Sequence, residues 1–200
     1  MDVLNTFFNR VSFSRFIGPS GDIIEAYLEK AGHYPVWIRF SPTDVSVYGD
    51  YGFYIFKGNI VKPLTFFCGD KTNPGYWSEK IESAPSYYYV RNIDEDRLKE
   101  NLKVFLEDNG LSELVDDVDD LCADRDTPES WYDVVTDLVW SKDSTVSVSD
   151  VIDSSISPCH TYLLVCDILQ AVSNYMLDNK IVDALKNTQT IMLNFKGGNV

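Results

Sequence analysis

Val36-Trp37-Ile38-Arg39-Phe40, Val45-Ser46-Val47-Tyr48 and Phe53-Tyr54-Ile55-Phe56 are three short runs rich in aromatic and β-branched residues. Pro42, Gly49 and Gly52 separate them, and runs bounded in this way predict an antiparallel meander of about three strands. The tightest point is Tyr48-Gly49-Asp50-Tyr51-Gly52, where two glycines within four residues supply the positive φ that a hairpin or bulge requires. Upstream of the meander the pattern reads as helical. Val3, Leu4, Phe7, Phe8 and Val11 have the spacing of a short amphipathic helix, and Gly18-Pro19 then breaks the chain. Ser20 is placed to cap a second helix with the stripe Ile23, Ile24, Tyr27 and Leu28, closed by Gly32. Downstream, the runs starting at Pro63 and Pro74 each begin with a proline suited to a first helical turn, which predicts two short helices. Tyr87-Tyr88-Tyr89-Val90 adds a strand or an extended connector.

The second half reads as helices. Asp94 caps a helix through Leu98, Leu102, Phe105 and Leu106, which ends at Asn109-Gly110. Leu111, Leu114, Val115, Val118, Leu121 and Cys122 then share one face of a predicted helix, with Glu113, Asp116, Asp117, Asp120 and Asp124 on the other. A third helix follows Thr127-Pro128, with Trp131, Val134, Val135 and Leu138 inward and Glu129, Asp133 and Asp137 outward. Residues 141–157 are rich in Ser and Asp and fit no single pattern. His160 to Lys180 is long, nearly uncharged and apolar over most of its circumference, as expected of a domain's central helix or of an oligomer seam. The tail from Lys196 to Val200 is expected to fray. The fold class is therefore α+β: a small antiparallel sheet with short helices in an aromatic-rich region, 1–92, then an acidic helical region, 93–200. No long linker separates the two, so they are expected to form one compact unit.

Charge is the strongest functional signal. The chain has 200 residues with 17 Lys and Arg against 31 Asp and Glu, a formal net charge of −14. Residues 91–153 alone hold 19 acids and 6 bases, so −13, while the flanks are close to neutral. A segregated charge of this size suggests a face with a purpose. It argues against direct binding to nucleic acid or to an anionic membrane, and favours a basic protein partner. Carboxylates at i, i+4 on a helix destabilise it by roughly 0.2–0.5 kcal/mol per pair and lie about 5–6 Å apart. A row so spaced approaches the charge density of a nucleic-acid backbone, with one phosphate per ~3.4 Å of each strand's rise. Glu113, Asp116, Asp117, Asp120, Asp124, Asp133 and Asp137 are accordingly the candidate partner-binding residues, on a face that mimics DNA or RNA and occupies a basic groove.

Other chemistry has weaker support. The aspartates at 117–120 and 124–126 lack the glycine and the terminal glutamate of an EF-hand loop, so no metal site is expected. His33 and His160 have no metal-ligand spacing with a second His or Cys, and no phosphate loop, nucleophile elbow or zinc-protease motif is present. No cofactor and no enzymatic activity are expected. An enzyme acting on a nucleotide-like signal would need a pocket and would be expected to depend on His33 or Asp50. The four cysteines, 68, 122, 159 and 166, have no framework spacing and read as buried thiols of a reducing compartment. No run of 18 apolar residues predicts a membrane span, and Asp2, Arg10 and Arg15 break the opening stretch as a secretory signal would not allow. Most of the aromatics of the sheet region are expected to pack in the core, with the triple Tyr as an exposed contact patch.

Tyr48-Gly49-Asp50-Tyr51-Gly52-Phe53-Tyr54-Ile55-Phe56, Phe66-Phe67 and Asn73-Pro74-Gly75-Tyr76-Trp77-Ser78-Glu79-Lys80-Ile81 resemble a family of uncharacterised proteins encoded by bacteriophages and prophages. Such proteins carry a similar GDYG strand turn and a similar NPGYWxEKL-like helix start. The resemblance spans about forty residues and carries no known activity. It implies a phage origin, a location in the host cytoplasm, and a role such as an anti-CRISPR or anti-restriction inhibitor, since those targets have basic grooves. The alternative is a phage structural or replication accessory protein that oligomerises through the His160–Lys180 helix.

Overall fold

Period-two burial governs the first third of the chain and builds a sheet. The computed structural model describes residues 4, 8–57, 63–84, 90–124 and 127–194. Strands β1 (Arg10–Gly18), β2 (Gly21–Glu29), β3 (Val36–Phe40), β4 (Val45–Gly49) and β5 (Gly52–Phe56) follow one another as antiparallel neighbours. β6 (Ile81–Ser83) pairs with β5, and β9 (Thr190–Asn194), near the C-terminus, pairs with β1. The result is an antiparallel sheet of seven strands in the order β6-β5-β4-β3-β2-β1-β9, with the expected meander at positions two to four. The registers Phe13↔Ala26, Ala26↔Ile38, Ile38↔Val47 and Val47↔Tyr54 align one row across five strands, and every residue in that row is at most 1% exposed. This is the core face.

The helix expected over residues 20–32 is instead strand β2. Its stripe, Ile23, Ile24, Tyr27 and Leu28, suits either structure, because residues four apart share a face in both periods. Ala26 decides the matter. Ile24, Ala26 and Leu28 are buried while Ile23, Glu25 and Tyr27 are half-exposed, and both strand edges are paired, with β1 and β3. The helix expected over residues 3–11 does not extend to Val11. The Phe8 N–H donates to the Leu4 carbonyl at 2.9 Å and both residues are buried, but Val11 belongs to β1; Val3 and Phe7 lie outside the described residues. Tyr87 to Tyr89 and the tail from Lys196 also lie outside them.

Both proline-led helices form, as α1 (Pro63–Phe66) and α2 (Pro74–Ser78), the latter capped by the Asn73 side chain, which accepts the Tyr76 N–H at 3.2 Å. Phe67 meets Phe56 and Trp77 edge-on at 5.2 and 4.9 Å, which ties these short helices to the core face. Further along come α3 (Glu95–Asp108), α4 (Pro128–Trp140), α5 (Ser149–Ser154), α6 (His160–Asp178) and α7 (Ile181–Ala184). α6 packs on the sheet: Tyr175 stacks with Phe13 at 6.0 Å, Tyr162 lies 6.0 Å from Tyr54, and the Tyr162 hydroxyl donates to the Pro74 carbonyl at 2.9 Å. Val165, Ile168, Leu169 and Val172 are at most 1% exposed within the single chain, so this is a central helix and not an open seam. Asn174 clamps the loop after α1, accepting the Gly69 N–H at 3.0 Å and donating to the Gly69 carbonyl at 2.8 Å.

Ser173, on the buried side of α6, is 0% exposed and its hydroxyl has no hydrogen-bond partner. A buried, unsatisfied hydroxyl costs about 1–3 kcal/mol. Ser173→Ala is therefore expected to stabilise the protein by about 1 kcal/mol, read as a higher urea midpoint at unchanged slope. A lower midpoint would show that the hydroxyl is needed.

The division into 1–92 and 93–200 does not hold. The chain forms two compact units, one from Met1–Tyr87 with His160–Val200 and one from Tyr88–Cys159. The second is an insertion. Its ends are held together by a two-stranded ladder of β7 (Arg91–Ile93) and β8 (Ile156–Pro158), and the Cys159 N–H donates to the Val90 carbonyl at 2.9 Å. We call the two the sheet unit and the acidic unit.

Candidate protein-binding surface

The acidic unit is organised by α3. Asp94 accepts the Arg97 N–H at 3.2 Å, and Glu95 and Asp96 place negative charge where the helix dipole favours it. Leu98, Leu102 and Leu106, four residues apart, are each fully buried. The helix stops at Gly110, whose φ of 72° is left-handed. The Gly110 N–H reaches the Glu107 carbonyl at 3.1 Å and the Leu111 N–H reaches the Leu106 carbonyl at 2.8 Å, a Schellman ending. Leu106 and Leu111 then join one core cluster with Leu114, Val118, Trp131 and Val135.

The helix expected over residues 111–122 is shorter and tighter, a six-residue 3₁₀ segment over Ser112–Asp117. Its N-cap, Leu111, offers no side-chain hydrogen bond, and aspartates at 116, 117, 119 and 120 combine poor helix propensity with mutual repulsion. Burial of Leu111, Leu114 and Val118 anchors the segment without a continuous helix, and Cys122, expected inward, is exposed. The helical rows Glu113–Asp117 and Asp116–Asp120–Asp124 therefore do not exist as rows. One row does form, on α4, where Glu129, Asp133 and Asp137 are exposed at four-residue spacing opposite buried Trp131, Val135 and Val139.

All seven candidate carboxylates are exposed: Glu113, Asp116 and Asp117 on the 3₁₀ segment, Asp120 and Asp124 in the following loop, and Asp133 and Asp137 on α4. Among the described residues of this unit every acid except Asp143 is classed as exposed. Two lysines of α3 are engaged with acids. Lys99 lies 2.8 Å from Glu95, and Lys103 contacts both oxygens of Asp119 at 2.7 Å. Asp119, absent from the candidate set, is thus the acid that ties this loop to α3, from sixteen residues away and without a local signal. Such exposed pairs contribute about 0–1 kcal/mol each and leave the excess charge in place. Asp143 is held below the usual carboxylate range by the hydroxyl and N–H of Thr145, which donate to it at 2.6 and 2.9 Å. Its contribution is present at neutral pH and is lost as pH falls through that depressed value.

The outer sheet face offers a second arrangement. Tyr27, Trp37, Tyr48 and Phe53 are cross-strand neighbours in one row. Trp37 and Tyr48 stack at 5.3 Å with planes 2° apart, and Tyr27 meets Trp37 edge-on at 5.3 Å. These four residues lie outside the core, and Trp37 is held between its two neighbours, as in a ladder that stabilises the sheet. Burial, followed by Glu25, which accepts the Tyr48 hydroxyl at 3.2 Å, raises that phenol above its ordinary range.

His33 Nδ1 lies 3.1 Å from Asp50 Oδ2, joining the β2–β3 and β4–β5 connections. The cysteines differ more than expected. Only Cys166 is buried, with burial pushing its thiol to about 12, while Cys68 and Cys159 are half-buried. Among the described residues no group of three or more His, Cys, Asp or Glu side chains is placed to hold a metal ion, and no helix is long and apolar enough to cross a membrane. Comparison with protein-family models, with curated proteins and with solved structures finds no match to this chain.

Proposed function

We propose that the protein is a non-enzymatic inhibitor that binds a basic, nucleic-acid-handling host protein and occupies its groove with the acidic unit. One observation carries this reading: the charge boundary and the structural boundary coincide. Residues 88–159 form one compact unit holding 19 acids against 6 bases, a net −13, and the rest of the chain is left at −1. Acids spread for solubility have no reason to follow a structural boundary. Concentrated on an inserted unit with a core of its own, they suit steering toward and occupation of a positive groove. The resemblance to phage proteins directs the reading to host defence nucleases, met in the host cytoplasm.

The test is a pull-down from a bacterial lysate eluted by a salt gradient, followed by reversal of Asp116, Asp120 and Asp124 to lysine. These side chains are exposed, so the fold should persist, while the unit's charge falls from −13 to −7. A nuclease or other DNA-binding protein released at moderate salt, and bound about tenfold or more weakly by the triple variant, is the expected result. Unchanged binding and inhibition by that variant would remove the acidic unit from the mechanism.

A further inference from the structure

The two edges of the sheet are built differently. β6 is three residues long, carries Glu82, which pairs with Lys57 at 2.9 Å, and meets β5 through a register shift at Ile55 and Phe56. Short length, edge charge and a bulge are the devices by which sheets avoid pairing with another chain. β9 has none of them. Thr190-Ile191-Met192-Leu193-Asn194 contains no charge, proline or glycine, pairs with β1 in unbroken register, and ends the sheet among the described residues.

The hydrogen-bond direction is fixed by the Arg15 N–H, which donates to the Gln189 carbonyl at 3.0 Å. Alternate residues of a strand direct their backbone groups the same way. Gln189, Ile191 and Leu193 therefore face β1, while Thr190, Met192 and Asn194 direct N–H and C=O away from the sheet. Thr188 Oγ1 donates to the outward Thr190 carbonyl at 3.2 Å, which leaves that oxygen a second lone pair.

The pattern of the strand identifies what would pair with it. Polar, aliphatic, Met, aliphatic, polar reads the same in both directions about Met192. Antiparallel pairing of this strand with itself sets Thr190 against Asn194, Ile191 against Leu193 and Met192 against Met192, each opposite a residue of its own kind. Ile191 and Leu193 lie in register with buried Phe13 and Val11, so the core face would continue across the junction. Met192, 58% exposed, would gain a neighbour. Charge does not oppose the pairing, because no charged residue lies between Lys186 and Lys196 and the sheet unit carries only −1. We propose that β9 is a homodimer interface, with two copies of the chain joined antiparallel along Thr190–Asn194 about a two-fold axis at Met192.

The test measures mass in solution by sedimentation or light scattering from about 1 μM to about 1 mM, where an interface at the small end of the size range shows itself. A concentration-dependent dimer is expected for the native chain. Met192→Pro removes only an outward N–H and so spares the β1–β9 ladder, and Met192→Lys adds an edge charge; both are expected to be monomeric. In a Cys122→Ser background, Met192→Cys is expected to cross-link into a dimer on oxidation, because directly opposed, hydrogen-bonded residues have Cα atoms about 5.5 Å apart, within disulfide reach. Leu177→Cys, at an equally exposed site, is expected to cross-link far more slowly. A monomer throughout, a dimer that persists in both the Pro and Lys variants, or equal cross-linking at the two cysteine sites would each overturn the proposal.

Discussion

Gly49→Ala is expected to destabilise the sheet unit by at least about 3 kcal/mol, a large effect for the addition of one methyl group. Gly49 closes β4 at the tight turn into β5 with φ 133°, a region L-residues rarely adopt, and a Cβ placed there would lie 2.1 Å from the Pro35 carbonyl oxygen and 3.0 Å from Val36 Cα. Strain in such a region costs about 1–3 kcal/mol by itself. The clash adds to it, because both contacts are backbone and no rotamer change can relieve them. Either the turn or the β3–β4 pairing Val36↔Gly49 must move. Gly75→Ala is the control. It sits inside α2 with no atom within 4 Å of its would-be Cβ, so alanine there is expected to be neutral or stabilising by up to about 1 kcal/mol. Urea midpoints followed by tryptophan fluorescence compare the two, and an unchanged midpoint for Gly49→Ala would refute the strain argument.

The same turn explains which parts of the fold the sequence made legible. Strands β3 to β5 are local structures: alternation, β-branched residues and turn glycines all lie within about twenty residues, so a local reading finds them. β2 is equally local but ambiguous, since Ile24 and Leu28 satisfy both periods and only the small, easily discounted Ala26 separates them. The 3₁₀ segment was hidden differently. Its apolar spacing fits a helix, but the accumulated aspartates make a full helix unfavourable, and burial of three aliphatic residues is enough without one. β9 and the insertion are non-local. Thr190 meets Ser14 across 176 residues, with their hydroxyls 3.1 Å apart, and no windowed pattern carries that information. The candidate surface divides along the same line. Net charge adds up without regard to geometry, so its location in residues 88–159 was readable. The rows required a helix at 111–122, and only the α4 row survives.

Trp131→Ala is expected to unfold the acidic unit selectively. Trp131 is 1% exposed and belongs to the cluster that joins α3, the 3₁₀ segment, α4 and α5. Truncating a buried Trp costs about 3–5 kcal/mol. At 0.05–0.15 kcal/mol per residue a unit spanning residues 88–159 has on the order of 4–11 kcal/mol in total, and its net −13 lowers that through self-repulsion. The substitution therefore removes a large share of the unit's stability and leaves the sheet's own core untouched. Hydrogen exchange should show fast amides across 90–124 and 127–159 with sheet amides still protected. Added salt should restore part of the lost protection, because it screens the repulsion between carboxylates. Trp131→Phe separates packing from polarity. The indole N–H has no hydrogen-bond partner, so phenylalanine forfeits volume but no bond and is expected to cost far less than alanine. If alanine instead releases both units together, the insertion is not an independent folding unit. If partner binding survives its unfolding, the folded arrangement of the carboxylates is not what the partner recognises.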